Sequence, residues 1–164
     1  MTVVSSTKDP ATLTLTLVAD FDASPERVWD VWEDPRKLER WWGPPTYPAT
    51  FTRHEFVVGG ESRYFMTGPS GETPRGWWRI KAIEKPHLLE FANGFAGDDG
   101  EPAPGIEPAA GHVTFEAVGS GTRMTTVTHF VDVAQMETML GMGMQEGMAQ
   151  AIGQIDALLV QSPV

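Results

Sequence analysis

The stretch that decides the fold is residues 132–160, DVAQMETMLGMGMQEGMAQAIGQIDALLV, which contains no proline. Asp132 with Gln135 three residues on has the form of a capping box and marks a helix start. At 3.6 residues per turn Met136, Leu140, Met144, Met148, Ala151, Ile155, Leu158 and Leu159 fall on one side, with Thr138, Gln145, Glu146, Gln150 and Asp156 mostly on the other. The pattern predicts one helix over 133–160, roughly 40 Å long, with a stripe that needs a broad apolar surface opposite. Gly141, Gly143, Gly147 and Gly153 oppose it at about 1 kcal/mol each relative to alanine. Tertiary packing must therefore hold the helix, and a close approach by a neighbouring element at Gly143 and Gly147 is the simplest reason for glycine there. Five of the eight methionines (Met136, Met139, Met142, Met144, Met148) crowd its first half, and methionine both fills gaps and lines adaptable binding surfaces.

At 164 residues the chain reads as a flexible tail over 1–10 followed by a single domain over 11–164. The absence of cysteine removes disulfides, thiolate metal sites and a cysteine nucleophile. No basic start leads into an apolar block, and no apolar run reaches membrane-spanning length, so a soluble, cytoplasmic protein is expected. A formal net charge of −10 opposes binding to a phosphate backbone, so nucleic acid is not an expected partner.

Leu13, Leu15 and Leu17 alternate with Thr12, Thr14 and Thr16, the period of a strand with one buried face. Ser24-Pro25-Glu26 then opens a helix whose apolar face is Val28, Trp29 and Trp32, and Asp34-Pro35 ends it and caps a second, short helix. From Pro48 onward the chain reads as strands and turns, with strands over 50–57, 61–67, 76–84, 88–95, 112–118 and 122–131. With the first strand that makes seven. Residues 96–111, rich in glycine, proline and acids, form a mobile excursion that is either a lid or a solvated loop.

Six tryptophans and eight phenylalanines, set against a methionine-rich helix, suit either an ordinary core or a cavity lined by aromatic and soft side chains. If Met124 and Phe130 face inward, Thr126 and Thr128 do too, and Trp78 and Ile80 facing inward would send Trp77 and Arg79 out. No histidine pair has metal-ligand spacing and no nucleophile elbow or dinucleotide fingerprint is present, so no metal or cofactor is expected. Glu55, Arg63, Tyr64, Arg75 and His129 are candidates for acid or base work at a polar end of a pocket, with Glu137 a further acid among the apolar helix positions.

Taken together, strand, two short helices, a six-strand meander and a long C-terminal helix resemble the α+β helix-grip fold of the START-like (SRPBCC) superfamily. Ser24-Pro25-Glu26-Arg27-Val28-Trp29-Asp30, Asp34-Pro35 and Leu38-Glu39-Arg40-Trp41-Trp42-Gly43-Pro44 are similar to the N-terminal signature of the heat-shock protein 90 ATPase activator homologue-like family. Glu55 before Gly59-Gly60, then Arg63, Met66 and Gly71-Glu72, is similar to its central segment. The resemblance implies a curved antiparallel sheet wrapped around the helix and a hydrophobic or aromatic small molecule held between them, in a carrier, sensor or sequestering role. Trp32, Trp42, Tyr64, Phe65, Trp78, Phe91, Phe115, Thr126, Leu140 and Met144 are the expected lining. A cyclase-like or hydrolase-like enzyme and a protein-interaction module are the alternatives. The chain has no room for the second domain of the co-chaperone that names the family, so that activity is not carried over.

Overall fold

The computed structural model describes residues 3–161, with side chains over 5–160. Eight strands make one antiparallel sheet: Val3–Asp9 (β1), Thr14–Phe21 (β2), Ala49–His54 (β3), Glu61–Met66 (β4), Arg75–Glu84 (β5), Leu88–Ala96 (β6), Ala109–Val118 (β7) and Gly121–His129 (β8). Their spatial order is β1-β2-β8-β7-β6-β5-β4-β3. The chain crosses from β2 to the opposite edge through Pro25–Glu33 (α1) and Pro35–Leu38 (α2), then closes through Val133–Gly141 (α3), Met144–Gly153 (α4) and Ile155–Gln161 (α5). No helix among the described residues is long and apolar enough to cross a membrane.

The sheet has eight strands where the sequence pattern gives seven. The extra one lies where a flexible tail is expected: β1 pairs with β2 in a register that sets Ser6 opposite Leu17 and Lys8 opposite Leu15. Residues 5–9 are polar and exposed, so no apolar alternation announces the strand. An edge strand is held by backbone hydrogen bonds on one side alone and can dispense with that alternation.

Inward-facing residues of β2 and β8 alternate without a break, and Leu15, Leu17, Met124, Thr126, Thr128 and Phe130 are all buried. Trp78 and Ile80 face inward on β5, as parity predicts. Ser24 caps α1 and Asp34 caps α2, each accepting a backbone N–H from its first turn. Val28, Trp29, Val31 and Trp32 of α1 are buried, with Trp32 edge-on to Trp41 at 4.7 Å and Trp78 stacked on Phe91 at 4.5 Å.

The C-terminal segment is not one helix. Asp132 accepts the Gln135 N–H at 2.7 Å, and the Gln135 side chain reaches back to the Val131 N–H at 2.8 Å, so the capped start forms. The helix then breaks at Met142-Gly143, where Gly143 takes φ +88°, a left-handed conformation that favours glycine. α4 packs against β1 and β2, and α5 packs against α1. Gln154 at the end of α4 donates to the Gly43 carbonyl at 2.7 Å, and Gln145 bonds Ser6 at 2.6 Å.

His54 is a titratable group embedded in this packing. Its Nε2 bonds the Trp32 carbonyl at 2.9 Å, which makes Nε2 the protonated nitrogen and leaves Nδ1 to accept from the buried Ser62 hydroxyl at 2.7 Å. Burial among Phe51, Phe56 and Trp78 pushes its pKa below the ordinary 6.5, against a smaller opposing pull from the Trp32 carbonyl. The unfolded chain therefore takes up a proton first as pH falls, and the stability His54 contributes is complete above 6.5 and lost below it. Urea unfolding as a function of pH should show stability declining from 6.5 downward, with a shallower decline in His54→Gln.

Candidate functional site

The curled sheet and the C-terminal helices do not close on each other, and a cavity of about 280 Å³ remains between them. Tyr64 and Met66 of β4, Phe91, Asn93 and Phe95 of β6, Gly111 of β7 and Thr126 and Thr128 of β8 form its sheet wall. Trp32, Trp41, Trp42 and Pro44 close one end, while Met139, Met142, Gly143, Met144, Gly147 and Met148 form the helical wall. Apolar and aromatic groups dominate, and Tyr64 is the one ionisable side chain among the described lining residues. Burial pushes its pKa up to about 12, so the phenol stays neutral at physiological pH.

Three aromatic rings on this sheet each lie across a glycine directly opposite in register: Tyr64 over Gly76, Phe91 over Gly111 and Trp77 over Gly94. Tyr64 and Phe91 do so on the inner face and set the cavity floor. A Cβ at Gly76 would sit 2.3 Å from the Tyr64 hydroxyl oxygen, and one at Gly111 would sit 2.8 Å from the Phe91 ring. The absence of a side chain is what lets each ring fold down along the sheet.

Polar atoms on the wall are incompletely satisfied. The Tyr64 hydroxyl donates to Asn93 over a long 3.4 Å. The Trp42 indole N–H is near enough to the Tyr64 oxygen to oppose slightly the rise in its pKa, yet forms no hydrogen bond of proper geometry. The buried Thr126 hydroxyl has no partner either. An unmade buried hydrogen bond costs about 1–3 kcal/mol, so such groups call for an explanation.

Of the ten residues expected to line the site, Trp32, Trp42, Tyr64, Phe91, Thr126 and Met144 lie on the wall and four do not. Phe65 is on the outer face, its ring 5.2 Å below the Arg75 guanidinium, because strand parity sends it opposite to Tyr64. Trp78 is fully buried behind the wall, stacked on Phe91. Phe115 is buried against Trp29 and Trp32. Leu140 packs against the core, while Met139 on the adjoining face of α3 and Met142 at its end line the cavity; the break at Gly143 means that the stripe through Leu140 does not continue in phase into α4. Asn93, Phe95 and Thr128 were legible from the parity of Phe91 and Thr126, and Met66 from that of Tyr64, whereas Trp41 and Pro44 lie in the turns after α2, where no strand or helix period applies.

The acid and base candidates are elsewhere. Glu55, His129 and Glu137 are exposed and off the wall. Arg63 is engaged by Glu61 at 3.0 Å and Glu101 at 3.1 Å. Residues 97–108 contribute nothing to the wall, and part of that loop is tied down where Arg63 bonds the Gly100 carbonyl and Ala103 donates to the Phe95 carbonyl. No cluster of three or more metal-ligating side chains occurs among the described residues. Gly76→Ala should displace Tyr64 and lower stability by about 1–3 kcal/mol in urea unfolding. Thr126→Val, which removes an unpartnered hydroxyl at nearly constant shape, should raise the stability of the unliganded protein by about 1 kcal/mol.

Comparison with known proteins places this geometry. No curated protein matches the chain. A solution NMR structure of a protein from Arthrobacter aurescens is 52% identical, with a TM-score of 0.93 over 98% of this chain and 94% of that one. A crystal structure of a protein from Mycobacterium smegmatis is 41% identical, with a TM-score of 0.90 over 99% of both chains. A Staphylococcus epidermidis protein at 21% identity shares the fold, with a TM-score of 0.83 over 96% of each chain. Residues 22–160 match the family described as activator of Hsp90 ATPase homolog 1-like protein, and with the eight-stranded sheet, the C-terminal helices and the cavity between them, the chain belongs to that family.

Proposed function

We propose that the protein binds an uncharged, largely aromatic small molecule bearing a hydrogen-bonding oxygen, and serves in the cytoplasm as a carrier, sensor or sequestering protein. The observation that carries this reading is the cavity wall itself: aromatic rings and thioethers surround about 280 Å³, a volume near the lower end of small-molecule sites. Charge on the ligand would find no counter-ion among the described lining residues, and Tyr64 stays neutral. The unpartnered Trp42 N–H and Thr126 hydroxyl favour a ligand that brings an acceptor to one of them.

A matched pair of probes tests this. 9-Fluorenone and fluorene share a tricyclic skeleton and differ by a carbonyl, so calorimetric titration should find fluorenone tighter by about tenfold, the worth of one hydrogen bond. In a ¹H–¹⁵N spectrum the indole N–H of Trp42 should move with fluorenone and stay nearly still with fluorene. Equal affinity for 9-fluorenone-2-carboxylate would refute the requirement for an uncharged ligand. Failure of fluorenone and fluorene both to bind, together with native mass spectrometry that finds no adduct on gently purified protein, would refute the binding role.

A further inference from the structure

α4 turns Met144, Gly147, Met148 and Ala151 toward the cavity, the i, i+3, i+4 and i+7 positions of one face. A helix face opposed to a sheet ordinarily fills such positions with large aliphatic side chains; here the second of the four is glycine, a residue disfavoured inside helices. Two structural demands would account for it, and neither is present. Its backbone is regular, with the Gly147 N–H bonded to the Gly143 carbonyl at 2.8 Å and no left-handed φ. Nothing packs closely on it either, since an added Cβ would meet no heavy atom within 4 Å.

The other helix glycines separate cleanly. Gly143 lines the cavity as well, but its φ of +88° calls for glycine on backbone grounds alone. Gly141 and Gly153 also have nothing within 4 Å, yet they are exposed, stand at the last positions of α3 and α4, and are off the cavity wall. Only at Gly147 does open space over an otherwise ordinary helical residue coincide with the cavity.

We infer that Gly147 is the specificity-determining position that sets the size of the ligand, keeping room over α4 for a fused or branched ring system that any larger residue would shut out. The inference rests on the proposed binding role, and its test separates the two. The probes are 9-fluorenone, with three fused rings, and 1-indanone, a smaller ketone with two.

Gly147→Leu should weaken fluorenone on the order of tenfold or more while leaving 1-indanone within about twofold. Gly147→Ala should raise Tm by about 2–4 °C, because helix propensity improves and nothing is displaced. Gly153→Leu should leave both affinities unchanged. Unaltered fluorenone affinity in Gly147→Leu, an equal loss in Gly153→Leu, or a lower Tm in Gly147→Ala would overturn the inference while the binding role stands. A wild-type protein that binds neither ketone nor fluorene, and carries no adduct in native mass spectrometry, would overturn the binding role and this inference with it.

Discussion

The structure depends on a mismatch between a curved sheet and the helix it grips. The concave face of eight antiparallel strands presents rings and aliphatic groups that must leave water, and the helical segment opposite is too lean to cover them all. α5 is a conventional core helix, with Ile155, Leu158 and Leu159 buried against α1 and its surroundings. α4 is not, because methionine, glycine and alanine occupy the face where leucine or phenylalanine would have reached the sheet. The unfilled space between them is the cavity.

That space is bordered by a core of buried aromatic rings. Trp29, Trp32, Trp41 and Trp78 are all essentially fully buried, and edge-on or stacked contacts link them to Phe91 and Phe115. Planar rings with few torsions cannot easily relax into an adjoining void, so the cavity persists where a core of flexible chains would collapse. Glycines opposite Tyr64 and Phe91 complete the arrangement by letting two of these rings lie along the sheet. The flexible elements are confined to the helical wall, where Met139, Met142, Met144 and Met148 can reshape around different occupants.

Chemistry at the wall follows from the same division. Ion pairs such as Asp20–Arg123 and the Arg53, Glu61, Arg63 and Arg79 group belong to strand residues outside the cavity wall, where water offsets the cost of charge. Inside, polarity is limited to hydroxyls, one amide and an indole N–H, several of them poorly partnered. A wall of that kind orients a ligand through a few hydrogen bonds and derives affinity from apolar contact.

Alternation in β2 and β8, the caps at Ser24, Asp34 and Asp132, and the turn glycines suffice to read the strand and helix order from the chain, since each is a local rule of backbone geometry. Local rules failed where stabilisation comes from elsewhere. β1 carries no apolar pattern because its pairing with β2 is through the backbone, and the break at Gly143 was hidden because methionine suits a continuous stripe as well as a cavity wall. Periodicity also sorts residues only into inward and outward sets, which is why Trp78 and Phe115, correctly inward, proved to be core and not wall, whereas Phe65, expected in the lining beside its neighbour Tyr64, lies on the outer face because adjacent strand residues alternate. By itself, then, the sequence determined most of the elements, the inward faces of β2, β5 and β8, and the family resemblance. Which inward residues touch one another and which face empty space was decided by the tertiary structure alone, because a cavity is a volume left over after packing and no single position encodes it.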